Sequence, residues 1–168
     1  PTWGGQRNGG TSFDFTYYYG VVPKDAMEKL AWVTSDMLGF VLNTVDEQTL
    51  EGEKQVVKNE KRQRVDNQPY GHSRGIILKA MYPKGHPYSW SVIGDLEDLQ
   101  AATIDDVKEF YNEFYGPSNT TLVIAGDIEF KETKQVVERW FGEIKPSMNL
   151  TDDPKPQLVT LEKSKKLY

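Results

Sequence analysis

The sequence predicts one mixed fold of strands and helices, and three observations carry that prediction. Residues Thr11 to Val22 alternate as a strand does, with Phe13, Phe15, Tyr17 and Tyr19 on one face and Ser12, Asp14, Thr16 and Tyr18 on the other. Several later stretches repeat their apolar residues at helical spacing. Hydrophobic residues make up 38% of the 168, with nine Tyr, seven Phe and four Trp, which is enough for one folded core. These patterns leave an α/β and an α+β arrangement both open.

Taken in order, Gly4, Gly5, Gly9 and Gly10 strip side chains from the backbone ahead of the strand, as a turn or a close approach of another chain requires. Pro23 ends the strand. Met27, Leu30, Ala31, Thr34, Leu38 and Val41 then give an amphipathic helix of about five turns. A second long helix is expected from Asp46 or Glu47 to about Val65, stopped by Asp66-Asn67-Gln68-Pro69, and a short one within Gly71 to Met81. Tyr82 to Tyr88 carries too many Pro and Gly residues for a regular element and reads as a constrained loop. Thr103 with Asp106 makes a capping-box start for a helix whose apolar face is Ile104, Val107, Phe110, Tyr111 and Phe114, and Gly116-Pro117 ends it. The β-branched run Thr120 to Ala125 is expected as a buried strand. Gly126-Asp127 turns it into a helix with Phe130, Val137, Trp140 and Phe141 on one face, closed by Gly142. Lys145 to Gln157 is polar and Pro-rich, a linker, followed by a short strand at Leu158 to Leu161 and a basic tail.

Charge and composition narrow the function. Twenty bases and 25 acids are mixed along the chain for a net charge of −5, so no basic stripe offers itself to nucleic acid. No apolar run approaches the ~20 residues of a membrane span. The chain has no cysteine, which excludes a thiol nucleophile and a Cys-type zinc site. It begins at Pro1 and not at Met, and is expected to be a fragment.

The second long helix carries the unusual feature. At about 100° per residue, Leu50, Glu53, Val57, Glu60 and Arg64 fall on one stripe. Two carboxylates are thereby expected on the face toward the core, where each needs a partner: an arginine, a lysine or a metal.

Five ordered pieces now align. They are Gly4-Gly-x-x-Asn8-Gly-x-Thr11-x-x-Asp14-x-Thr16-x-Tyr18, Glu53-x-x-Val56-Val57-x-Asn59-Glu60-Lys61-Arg62, Asp66-Asn67-x-Pro69-Tyr70-Gly71, Tyr82-Pro83-x-Gly85-His86-Pro87-Tyr88 and Leu122-Val123-Ile124-Ala125-Gly126-Asp127. The set resembles the pitrilysin/insulinase family of zinc metallopeptidases, the inverted H-x-x-E-H type, over roughly Gly4 to Ile144. The resemblance implies an α+β fold, a mainly antiparallel sheet packed against several helices. It also implies a truncated N-terminal peptidase domain over residues 1–144 and a connection to a following domain over 145–168.

By resemblance Glu60 is the third zinc ligand and Glu53 a carboxylate behind it that orients a ligand or a neighbouring donor. The two histidine ligands and the general base of H-x-x-E-H are expected about 75 residues upstream of Glu60, before Pro1, so no catalytic residue is expected in this chain. His72 and His86 have no second ligand at helical spacing and read as capped or loop-packing histidines. The resemblance implies zinc as the cofactor of the intact protein, and this fragment alone is expected to bind it weakly and to be inactive. The family's substrate-docking edge strand corresponds to Asn8, Gly9, Gly10 and Thr11, which would pair with an extended peptide through the main chain. Glycine stands here where relatives often carry alanine or a larger residue, and Gly9 and Gly10 would leave room for a bulky substrate side chain. A proline at Gly10 is expected to block docking by removing a backbone donor. The implied partners are a peptide substrate and a homologous second half-domain or subunit, with bacterial periplasm or cytoplasm as the compartment. The implied whole is a zinc endopeptidase acting on peptides or small proteins; the alternative is a non-catalytic structural or peptide-holding relative, and an unrelated binding domain would need all five pieces to coincide by accident.

Overall fold

The computed structural model describes residues 3–147, 158–160 and 166. Its order is strand β1 (Gln6–Thr11), strand β2 (Thr16–Val21), helix α1 (Met27–Gly39), helix α2 (Glu47–Lys61), a π-helical turn (Arg62–Asp66), and helices α3 (Ser73–Met81), α4 (Leu96–Ala101), α5 (Ile104–Phe114) and α6 (Phe130–Phe141). The class is α+β: among the described residues the sheet is one antiparallel hairpin and the rest of the regular structure is helical. No helix among the described residues is long and apolar enough to cross a membrane.

The chain divides into two compact units. The described part of the first is 3–10, 16–46 and 103–147; that of the second is 11–15, 47–102, 158–160 and 166. In the first unit α1 and α6 pack together, and their most buried residues, Ala31, Ser35 and Thr133, are small enough for two backbones to approach. Glu28 of α1 accepts from both Arg139 and Trp140 Nε1 of α6, the latter at 3.2 Å. Helix α5 starts on the expected capping box: Thr103 Oγ1 accepts from Asp106 N at 3.2 Å, and the Asp106 carboxylate accepts from Thr103 N at 2.7 Å. Its Tyr111 hydroxyl donates to the Met37 carbonyl of α1, and Tyr111 and Tyr115 stack at 4.6 Å.

In the second unit α2 is fixed by two lysines. Lys54, only 7% exposed, donates from Nζ to Glu51 Oε1 at 2.7 Å and to the Gln100 carbonyl at the end of α4 at 3.3 Å. Seven residues on, Lys61 donates to the Gly94 carbonyl, just before α4, at 2.5 Å. The two ammonium groups hold both ends of a helix too short to stand by itself. After Lys61 the backbone widens into the π-helical turn, where Asn67 N donates to Arg62 O at 2.9 Å. Gly71 closes this turn. A Cβ there would lie 1.9 Å from the Val65 carbonyl oxygen, so only glycine fits under it.

Several expectations need correcting. The strand expected over Thr11 to Val22 is the second half of a hairpin: its first third is the tip, closed where Ser12 N donates to Phe15 O at 2.8 Å, and the Gly-rich run before it is itself strand β1. Phe13 and Asp14 have no positive φ, so the tip lacks the turn that two-residue hairpins favour. It is held instead from within its unit. Tyr88 donates its hydroxyl to Asp14, its ring lies 4.9 Å from Phe13, and the Arg74 guanidinium sits 5.8 Å over the Phe13 ring. Thr120 to Ala125 forms no strand, and Val123 is 78% exposed, because among the described residues β2 pairs with β1 alone and this run has no ladder to join. An apolar cavity of about 820 Å³ lies between it, β2 and α1. Phe130 is exposed, so the inner face of α6 begins later than the sequence suggests. Leu158 to Thr160 is not a strand, and most of the expected linker and tail lies outside the described residues. Helix α4 was not expected.

Replacing Lys54 with Met keeps the stem and removes the ammonium, which should cost on the order of 2 kcal/mol; urea denaturation measures it, and an unchanged midpoint would contradict the role given to this lysine. The phenols supply a second test. Burial pushes Tyr111 up to about 12 and Tyr115 higher still. A folded-state value raised above the unfolded one contributes stability in full below about pH 10, lost as pH rises through about 12. Urea midpoints should therefore fall over that range, with these two phenolates appearing only above the ordinary tyrosine range in an ultraviolet titration.

Candidate functional site

The candidate docking strand is β1, and its register decides what it can offer. A Cβ built on Gly9 would meet the Tyr18 ring at 3.0 Å and the Tyr17 carbonyl at 3.1 Å; one on Gly5 would meet Val22 and the Val21 carbonyl. With the Ser12 to Phe15 bond at the tip, these contacts set Gly10 opposite Tyr17 and Gly9 opposite Tyr18. Backbone groups along an antiparallel strand alternate in direction. Gln6, Asn8 and Gly10 therefore turn their N–H and C=O toward β2, while Arg7, Gly9 and Thr11 turn theirs to the opposite edge. Among the described residues no strand pairs with that edge. The Gly9 N–H is held there by its neighbour, donating to Asn8 Oδ1 at 2.8 Å.

This geometry changes two expectations. Gly10 is not the outward donor; its N–H faces β2, and the outward N–H nearest it is that of Gly9. Nor is the space beside the glycines empty, since Tyr18 fills it at Gly9 and Tyr17 at Gly10. The alternation of Tyr17, Tyr18 and Tyr19 against Gly9 and Gly10 was the available signal.

Glu53 and Glu60 lie on α2, as expected, but not on its buried face. Leu50 and Val57 are shared by two stripes, one running through Glu53 and Glu60 and the other, turned by one residue, through Lys54 and Lys61. Lys54 is buried and Lys61 nearly so, whereas Glu53 is exposed and the Glu60 side chain is 39% exposed. The acids flank the core, so neither is a buried charge in need of neutralisation. Glu60 Oε1 sits 2.8 Å from Arg64 Nη1, one helical turn on, in the favourable acid-before-base order.

The histidines do other work. His86 Nδ1 accepts from Tyr88 N at 3.1 Å, capping the turn Pro87–Ser89, and its ring stacks on Tyr82 at 4.7 Å. His72 Nε2 lies 3.5 Å from Asp66 Oδ1. Among the described residues no three His, Cys, Asp or Glu side chains converge as a metal site. These residues do not by themselves make a zinc centre; Glu60 is a single half-open carboxylate.

Residues 101–167 match the family described as the Peptidase M16 inactive domain. The chain is 32% identical over 142 residues to the zinc protease PqqE of Helicobacter pylori, covering 84% of this chain and 31% of that protein. It is 30% identical over 163 residues to the uncharacterized zinc protease YmxG of Bacillus subtilis, covering 97% and 39%. Among solved structures, a protease from Helicobacter pylori superposes with a TM-score of 0.82 at 29% identity, over 94% of this chain and 37% of that one. The chain thus spans about a third of the length of the curated relatives it matches. The α+β fold, the ordered motifs and these similarities agree: the chain belongs to the M16, or pitrilysin/insulinase, family of peptidases.

Proposed function

We propose that this chain is part of a zinc-dependent endopeptidase that hydrolyses peptides or small proteins, and that it contributes two things to it: the Glu60 carboxylate as a zinc ligand, with Glu53 behind it, and the outer edge of β1 as the strand on which the peptide docks. The observation that carries this reading is the outer edge of β1, which no strand among the described residues covers and where the Gly9 N–H points outward. An extended peptide that adds to such an edge is held by main-chain bonds and read only weakly by side chains. When a peptide carbonyl takes the Gly9 N–H, the Asn8 amide is released to bond the peptide backbone.

Zinc supplies the Lewis acid and the activated water of such a peptidase when bound. Glu60, paired here with Arg64, would hold the metal, and Glu53 would orient what surrounds it. Residues 1–144 belong on this reading to the N-terminal peptidase domain and 145–168 to the connection toward a homologous second half or partner subunit. A bacterial periplasmic or cytoplasmic location goes with it. The family description matched by residues 101–167, an inactive domain, favours a second reading, a non-catalytic relative that holds peptides.

In the full-length protein, Glu60→Gln should abolish stoichiometric zinc and peptidase activity, while Glu53→Gln should lower metal affinity about 10- to 100-fold. Metal analysis separates the readings: full zinc in the Glu60 variant removes the ligand assignment, and no zinc in the wild type favours the non-catalytic one. For the edge, Gly9→Pro should abolish peptide binding, because it deletes the outward donor at a position where a strand edge tolerates proline. Gly9→Ala is its control, adding a Cβ against Tyr18 and keeping the N–H; equal binding by both variants would place the dock elsewhere.

A further inference from the structure

Tyr17 crosses the strand that the peptide would pair with. Its hydroxyl, Cζ and Cε1 atoms lie 2.7, 2.8 and 2.9 Å from where a Cβ of Gly10 would stand, so the far end of the ring covers Gly10 itself. Gly10 is half-buried for this reason, although it lies on the outer strand of a hairpin. Tyr19 stacks behind Tyr17 with ring centroids 6.3 Å apart. Tyr18 points to the other face, where its hydroxyl meets that of Tyr115 at 2.7 Å. One face of the hairpin is therefore an aromatic surface that reaches across β1 at its glycine.

Resting on the docking reading above, we infer that Tyr17 is the specificity-determining residue of the edge: it reads the side chain of the peptide residue opposite Gly10 and favours an aromatic one. The distances carry this. Adjacent strands lie about 4.8 Å apart, so a peptide on the outer edge of β1 runs about twice that from β2, normally beyond side-chain contact. A side chain at position 10 would ordinarily fill the interval. Gly10 leaves it to Tyr17, whose ring lies over the intervening strand and meets the peptide side chain on the same face. Tyr17 is 50% exposed and its ring can receive an aromatic ring offset or edge-on.

The test uses the full-length protein with a chelator present, so that peptides bind without being cut, and two labelled extended peptides: an alanine peptide flanked by lysines, and the same peptide with one central Phe. Fluorescence anisotropy of the wild type should show the Phe peptide binding about 3- to 10-fold tighter. In Tyr17→Ala that ratio should fall to near one, and Tyr17→Phe should keep the wild-type ratio. Gly10→Ala should also lower it, because its Cβ displaces the ring. If Tyr17→Ala keeps the wild-type ratio, the inference is wrong although the dock stands. If the wild type binds neither peptide, the docking reading itself fails and this inference with it.

Discussion

The orientation of α2 rests on the burial of Lys54. A buried ammonium must have its hydrogen bonds made, and here they go to Glu51 and to the last turn of α4. Lys61 repeats the arrangement at the other end of α4. Once these two lysines face the inside, the helix has no freedom left to choose where its acids point: Glu53 and Glu60 must emerge along the flank. A carboxylate buried beside other core atoms would have to be permanently paired. One that is half-open and held by an exposed arginine can change partners at little cost, because surface pairs of this kind contribute less than about 1 kcal/mol. The same burial that ruled out the acids as core residues leaves Glu60 half-open, as the proposed metal role requires.

The hairpin follows a comparable exchange between neighbours. Gly9 and Gly10 give up side chains, and Tyr18 and Tyr17 of the next strand occupy the space on opposite faces. Cross-strand aromatic packing over glycine stabilises a strand that would otherwise be weak. It keeps β1 in register while its outer backbone groups stay accessible. The tip, which has no turn residues of its own, is shaped by Phe13 and Asp14 lying against Tyr88 and by Arg74 over Phe13. The His86 cap holds Tyr88 in place for that contact. This gives the Gly-His-Pro-Tyr loop a structural reason that involves no metal.

Local signals were read well from sequence and non-local ones were not. The capping box at Thr103 and the start of α1 at Met27 depend on residues within a turn or two of one another, and each is where the sequence puts it, although α1 ends at Gly39, short of the expected Val41. The strand at Thr120 to Ala125 depends on a hydrogen-bonding neighbour, which no local pattern can supply. Helix α4 is six residues that owe their place to lysines more than thirty positions away. On α2 the acidic and basic stripes share Leu50 and Val57, and their spacing alone could not say which flank is inside. Residues Asn8 to Thr11 lie on a strand edge, as expected, but which of their amides points outward needed the pairing register.

The measurement that bears most directly on the central claim is anomalous diffraction at the zinc edge from crystals of the full-length protein. A zinc peak with a Glu60 oxygen about 2.0 to 2.2 Å away and Arg64 released is what the account predicts. Zinc bound without Glu60, or Glu60 still paired with Arg64 in the zinc-loaded protein, would contradict it.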